Sequence, residues 1–470
     1  MKKNVIFILI LIVISTISGC DTVVIPEDTI VDDTEFETLS ALTDPNYERI
    51  FSDEGMKSLV IDISKSEYNR LDDIMLTHQQ MFGDFKSDKY VRANITYEDS
   101  HGIITMHQVG FRTRGNLSRN RIQNDEGHII VNHYKLKFDE TFDDTLDVSK
   151  RYLFGLEELD LKYNRNADPT YMNEHYALSL YREFEVMAQR TTHIMVYLRI
   201  DGQMHNMGLY TAFEPIDQTF IERRFEGLHA TGDLYKALWQ QYGPALLTYP
   251  TDMNAIGVKN TSLNYRPAYD LKTNKNTSTH DDLLAFMTGM NLPLTQRKVF
   301  LDTYVNLDYM ARFFAVSHIL GNPDDIRSNG NNYYIYVDPV DELFYLIPYD
   351  LDHSLGQGWD GAPVFEEQLV NTPIYDYPRF MDYVLNEPPH SPFVDGLFSM
   401  RSFRESYEMY LLNVVNDESF SFSYVKALID TLVLNYHDII EESYINVTFG
   451  YRDIESFITG KTNSIIQQLS

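Results

Sequence analysis

An α+β fold is predicted for this chain on three observations. Period-2 segments fill much of its first half, helical spacing dominates its last third, and an aromatic hairpin lies between them. In order, "KSLVIDIS", "YVRANITYED" and "IITMHQVGFRTRG" show β-branched alternation between turn residues, which predicts an antiparallel start. "HYKLKFDE" is a further short strand. "DPTYMNEHYALSLYREFEVM" places apolar residues at helical spacing after an Asp-Pro start. "TTHIMVYLRIDGQMHNMGLYTAFE" predicts a hairpin turning at Asp201-Gly202, and "DQTFIERRF" opens a helix. "LDTYVNLDYMARFFAVSHILG" predicts one long helix capped by Gly321. Two aromatic strands follow, Tyr333–Val337 and Glu342–Ile347, joined by "DPVD". Beyond about residue 360 the pattern is mainly helical, with "SFRESYEMYLLNVV" and "SFITGKTNSIIQQL" as amphipathic packing helices. A boundary between lobes is expected near residue 215.

The N-terminus sets the expected compartment. "MKKNVIFILILIVISTISGC" has two lysines, an apolar run from Val5 to Ile14 and small residues ending at Cys20, the pattern of an export signal. "ISGC" resembles a bacterial lipobox, which makes Cys20 the expected lipidation site and anchors the exported chain to the outer face of the cell membrane. Cys20 is the only cysteine, so no intramolecular disulfide is expected. Residues 21–55 read as an acidic stalk, residues 56–360 as the core, and residues 361–470 as a helical extension packed on it.

With 43% hydrophobic residues the chain can build a substantial core. Its net charge is −30, or −32 once Lys2 and Lys3 leave with the signal. Such a field argues against nucleic acid as a partner and favours a basic one. Any phosphate site must gather its few cations locally.

Six Asp and four Asn crowd the stretch from Gly321 to Gly356. Asn, Asp and Gly are ordinary turn residues, but their placement around a hairpin suggests more. If "DPVD" is the whole loop, Val337 pairs with Glu342, Asn332 with Ile347, and Asn329 faces Asp350. Asp350 and Asp352 share one face if that stretch is extended. Converging carboxylate and amide oxygens suit Mg²⁺. In the order used by phosphoryl-transfer sites, Asp324 or Asp325 is the candidate base, Asn329 or Asn332 the amide ligand, and Asp350 the chief metal carboxylate. "GFRTRGNLSR" sets Arg112 and Arg114 on one strand face before Gly115, Asn116 and Ser118, a phosphate cradle. "YKLKF" sets Lys135 and Lys137 on one face of the next strand, and Glu174 is the candidate carboxylate that positions one of those lysines. "GQGWDG" (Gly356–Gly361) spells G-x-G-x-x-G without opening a helix, so it is read as a flexible turn. His353 is expected to be a satisfied polar residue.

The pieces "GFRTRGNLSR", "YKLKF", "DPTYMNEHYALSLY", "MGLYTAFEPIDQTFIERRF", "GDLYKA", "GNPDDIRSNGNNYYIY" and "IPYDLDHSLG" stand in this order over most of Lys57–Gly356. In them the chain resembles the spore coat protein H (CotH) family of atypical protein kinases. The resemblance implies a reduced, two-lobed kinase-like fold, strand-rich at its N-terminal side and mainly helical after it. It implies binding of ATP and Mg²⁺, or Mn²⁺ in its place, and transfer of the γ-phosphoryl group to Ser or Thr of a protein. Asp324 is the implied catalytic Asp, Asp350 the implied metal Asp with Asp352 close by, and Asn332 the Asn before the Tyr-rich strand. Arg114 and the lysine strand match the nucleotide side, and Glu214 the Glu after "GLY". Lys236 and Asp217 match family positions and take no role from the residues alone. The chain departs from the family at Tyr349, commonly Trp, and at Leu117, commonly Ser. The expected protein is a membrane-tethered kinase for a basic, Ser/Thr-rich surface or spore-coat-like substrate. The alternative is a catalytically silent scaffold lipoprotein with a structural metal.

Overall fold

The computed structural model describes residues 41–116, 118–143, 148, 151–357, 366–376 and 390–470. The expected signal, Cys20, the expected stalk up to residue 40, Leu117 and the 358–361 part of "GQGWDG" lie outside them.

Alternation in the first half produces β1 (Ser58–Ile63), β2 (Val91–Asp99), β3 (Gly102–Arg114), β4 (His133–Lys137), β5 (Glu158–Tyr163), β6 (Thr191–Ile200) and β7 (Gln203–Phe213). They close into a barrel in the order β1-β2-β3-β4-β5-β7-β6. The expected antiparallel start holds as far as β5, and β6 and β7 form the hairpin turning at Asp201-Gly202. The closure was not foreseen: β6 returns parallel to β1, from Ser58 opposite Met195 to Ile63 opposite Ile200. Leu59, Ile61, Phe111, Leu136, Leu161 and Leu198 belong to the apolar cluster of the barrel, so closure buries what an open sheet would expose at its edges.

A second sheet has the order β12-β11-β8-β10-β9. Its strands are β8 (Leu234–Ala237), β9 (Ile256–Gly257), β10 (Tyr269–Leu271), β11 (Tyr333–Val337) and β12 (Phe344–Pro348). The helices are α1 (Asn46–Phe51), α2 (Lys65–Phe82), α3 (Asn173–Glu183), α4 (Gln218–Glu222), α5 (Asp281–Met290), α6 (Leu294–Tyr304) and α7 (Leu307–Leu320). After the hairpin come α8 (Glu366–Asn371), α9 (Pro392–Phe398), α10 (Arg401–Asn416), α11 (Phe422–Ile440) and α12 (Ile454–Leu469). Helix α7, buried nearly all round, shares one apolar cluster with α3, the second sheet and α9–α12.

Two expectations are corrected. The single helix expected from Leu301 to Gly321 is broken, because Val305 is extended and the Asn306 side chain caps α7 by accepting from Tyr309 N at 3.0 Å. The aromatic hairpin pairs Val337 with Phe344 and not with Glu342, a two-residue shift. Asp338 Oδ1 accepts from Val340 N at 2.9 Å, and Glu342 takes φ 57, so the turn runs on past the expected loop. A shift of two leaves every side chain on its expected face.

Lys461 of α12 is fully buried and donates to the Leu369 carbonyl at 2.6 Å. Burial, and after it Arg327, lowers its pKa from 10.5 to about 7. Between these values the unfolded chain holds a proton that the folded chain lacks, so folding stability gains from this lysine as pH rises from 7 to 10.5. Lys461→Met is expected to flatten that rise, as read from denaturant midpoints at pH 7 and 10. An unchanged pH dependence would refute the assignment.

Candidate active site

The barrel and the second sheet enclose a cavity of about 520 Å³. Twelve Lys or Arg and eight Asp or Glu line it, a cation-rich wall in a chain of net charge −30. An anionic ligand is what such a wall favours.

The barrel side is built by strand register. Arg112 pairs with Lys135, and Lys135 with Asp160, across β3, β4 and β5. Arg114 and Lys162 lie two residues further on and so on the same face. Arg112 binds Asp88 at 3.1 Å, Arg114 binds Asp160 at 3.3 Å, and Lys135 binds Glu158 at 2.5 Å and Asp160 at 3.5 Å. Burial alone would raise the Asp160 pKa; Arg114 and then Lys135 overcome it and hold the carboxyl below its ordinary range. Ser118 lines the cavity beside Gly115, whose φ of 115 and closeness to Ser118 leave no room for a side chain: a Cβ would stand 2.6 Å from Ser118 Oγ.

Lys162 was not singled out from the sequence, although "ELDLKY" alternates and puts it on the face of Asp160. It joins Glu174 of α3, at 2.6 Å, to Asp350 beyond β12. Glu174 therefore does position a lysine, but Lys162, not Lys135 or Lys137. Burial raises the Glu174 pKa to about 7 against the pull of Lys162, with Asp352 and Asp350 adding to the rise. Asp350 is held low, because Lys162 more than offsets its burial. One ammonium serves two carboxylates, and Asp350 keeps the negative charge.

Asp324 follows α7, which Gly321 ends at φ 64 by donating to the Ser317 carbonyl at 3.1 Å. Three side-chain amides converge on its carboxylate: Asn329 and Asn331 (3.0 Å) donate to Oδ1, and Asn332 (2.8 Å) donates to Oδ2. Burial, opposed by the first two of these bonds, pushes its pKa up to about 6. Geometry separates the adjacent carboxylates. Asp324 lines the cavity, whereas Asp325 accepts from Ser317 Oγ and from the Arg327 and Ser328 amides, and pins the turn. Asn332 lines the cavity with Asp350, Asp352 and His353.

Several expectations need correction. Lys137 is outside the cavity lining, paired with Glu140 at 3.2 Å and Asp139 at 3.7 Å. Glu214 is also outside it: fully buried, it binds Arg224 at 2.8 Å and accepts from Tyr47 OH at 2.8 Å, so its contacts are structural. Asp350 has φ 59 and Asp352 sits in a turn, so this stretch is not extended. Among the described residues, the group of metal-ligating side chains drawn within 4.8 Å is His229, Asp338 and Asp341, not Asp324, Asp350 and Asp352. His229, Asp338 and Asp341 lie at the opposite, turn end of the hairpin.

The residues near Asp324 nevertheless fit a hard cation. Asn329 Oδ1, behind the cavity lining, is buried with no hydrogen-bond partner among the described residues, and the lining itself carries Asp350, Asp352 and Asn332, side chains with the oxygen ligands a hard cation takes. Mg²⁺ keeps several waters and uses one or two carboxylates plus substrate phosphates, so a preformed protein cage is not required.

No curated protein matches the chain. Among solved structures it is similar to the Helicobacter pylori proinflammatory kinase CtkA, with a TM-score of 0.31 and 12% identity over 76% of this chain and 94% of that one. The model of the family described as CotH kinase protein matches residues 111–452, from the arginine strand through the hairpin to the Arg452 turn before α12, and the chain belongs to that family.

Proposed function

We propose that this protein transfers the γ-phosphoryl group of ATP to a Ser or Thr hydroxyl of a basic, hydroxyl-rich protein, from a two-lobed kinase-like fold. The observation that carries the reading is the meeting, in one cation-rich cavity, of an amide-held buried Asp324 with Lys162 and Asp350, the lysine being fixed from behind by Glu174. Asp350, Asp352 and Asn332 are the residues that would hold Mg²⁺ or Mn²⁺, which when bound neutralises phosphate charge. Arg112, Arg114, Ser118 and Lys135 line the barrel side of the cavity and would receive the phosphates there, with Lys162, fixed by Glu174, adding its charge. Asp324, ionised above about pH 6, accepts the proton of the acceptor hydroxyl. A net charge of −30 supports a basic acceptor, and the "ISGC" motif supports export and tethering through lipidated Cys20.

The test is transfer from γ-labelled ATP to a basic Ser/Thr-rich protein with Mg²⁺, comparing wild type with Asp350→Ala. Expected is label that depends on the metal and falls by about 10²–10³-fold in the variant. Equal labelling by both, or none by wild type across such acceptors, would favour the catalytically silent scaffold.

A further inference from the structure

Lys236 occupies the middle of β8, with Asp270 on β10 and Tyr334 on β11 as its cross-strand neighbours. It lines the cavity together with Arg114 and Asp350. The acids around it already have cations of their own: Lys272 binds Asp270, Arg114 binds Asp160, and Lys162 binds Asp350. Among the described residues no carboxylate comes within 4.0 Å of the Lys236 ammonium, and no acceptor takes a hydrogen bond from it. It rests instead on the face of Tyr349, 3.8 Å from the ring centroid, with the Tyr334 ring at 5.6 Å. Burial, then Lys272 and Arg114, lowers its pKa well below the ordinary lysine value. A ring face returns only part of the hydration an ammonium loses on burial. The arrangement is that of a cation whose counter-ion arrives with the ligand.

Tyr349 sits between two cations. Its ring carries Lys236, and its hydroxyl accepts from Arg114 at 3.0 Å, a bond that the Trp common at this position in the family lacks an acceptor to make.

We propose that Lys236 is a phosphate-binding residue of this site, reaching the polyphosphate from the second sheet while Arg114 reaches it from the barrel, with Tyr349 positioning both. The assignment rests on the kinase reading for the identity of the polyphosphate as ATP.

The test is calorimetric titration of the full chain as wild type, Lys236→Met and Lys236→Arg with ATP, inorganic tripolyphosphate and adenosine, alongside thermal unfolding without ligand. Lys236→Met is expected to weaken ATP and tripolyphosphate by about 10–100-fold, to leave adenosine within about twofold, and to raise the unfolding midpoint, since an apolar side chain replaces a half-buried cation held between like charges. Lys236→Arg is expected to keep most of the polyanion affinity. A purely structural lysine would instead lower the midpoint and weaken all three ligands together, which overturns the proposal, as does undiminished polyanion binding by Lys236→Met. Lys236-dependent binding of tripolyphosphate without any binding of ATP would sink the kinase reading and leave this lysine's role standing. Normal ATP binding and transfer by Lys236→Met would do the reverse, and a wild type that binds neither polyanion would remove both.

Discussion

Asp324→Ala is expected to lower phosphoryl transfer from ATP by about 10²–10⁴-fold with little change in nucleotide affinity. The residue sits on the acceptor side of the proposed chemistry, and its carboxylate is fixed by three amide donors and not by a cation. Asp324→Asn should be no better, because an amide does not accept the hydroxyl proton and its own NH2 would face at least one of the three amide donors in either orientation. The same environment sets a pH dependence. Burial pushes the carboxyl up to about 6, and a base must be ionised. The log of kcat/KM is therefore expected to rise with unit slope up to about pH 6 and flatten above it. Initial rates across pH 5–8, at fixed free Mg²⁺ and ionic strength, decide the matter. A variant as fast as wild type would remove Asp324 from the chemistry, and an acid limb that persists in its residual rate would assign that limb to another group.

Lys162→Met has the second large effect, and it reaches stability as well as rate. Removing one partner of a buried ion pair typically costs about 3–5 kcal/mol, and here two carboxylates lose their shared cation. Glu174 already lies near pH 7 and can take up a proton, which places the expected loss near the lower end, about 3 kcal/mol. The sign follows from linkage. Without Lys162 the folded-state pKa values of Glu174 and Asp350 rise above their unfolded values, so the folded form binds more protons. Its stability then declines as pH climbs from the ordinary carboxylate range through those raised values. Denaturant midpoints should show a smaller loss at pH 5 than at pH 8. Lys162→Met/Glu174→Gln is expected to recover part of the stability and none of the transfer. Recovery of transfer in the double variant would mean that Lys162 only balances charge.

What could be read from the chain follows the range of the interactions involved. Alternation and the Asp201-Gly202 turn are local, and the β6–β7 hairpin came out as expected. The Asp/Asn loop was legible because Asp324 and its amide donors lie within eight residues of one another. The hairpin register was missed for a side-chain reason: Asp338 folds back on the following amides and lengthens the turn. The Glu174 partner was missed because the choice among Lys135, Lys137 and Lys162 depends on how β4 and β5 pair, and on where α3 packs, neither of which is written in either segment. Helix α2 was passed over although Ser64 and Glu67 spell an N-terminal capping signal, realised as Glu67 N donating to Ser64 Oγ at 3.2 Å.

The parallel seam between β1 and β6 also fixes the order of events at birth of the molecule. A segment that leaves the ribosome near residue 58 finds its last neighbour only when residues 195–200 emerge, roughly ten seconds later at ordinary synthesis rates. For that interval one flank of the nascent strand is an open template, vulnerable to pairing with a stranger. A nascent chain made without residues 1–20 and stalled before residues 195–200 have emerged should therefore be held by a chaperone, and one stalled after they have emerged should let go.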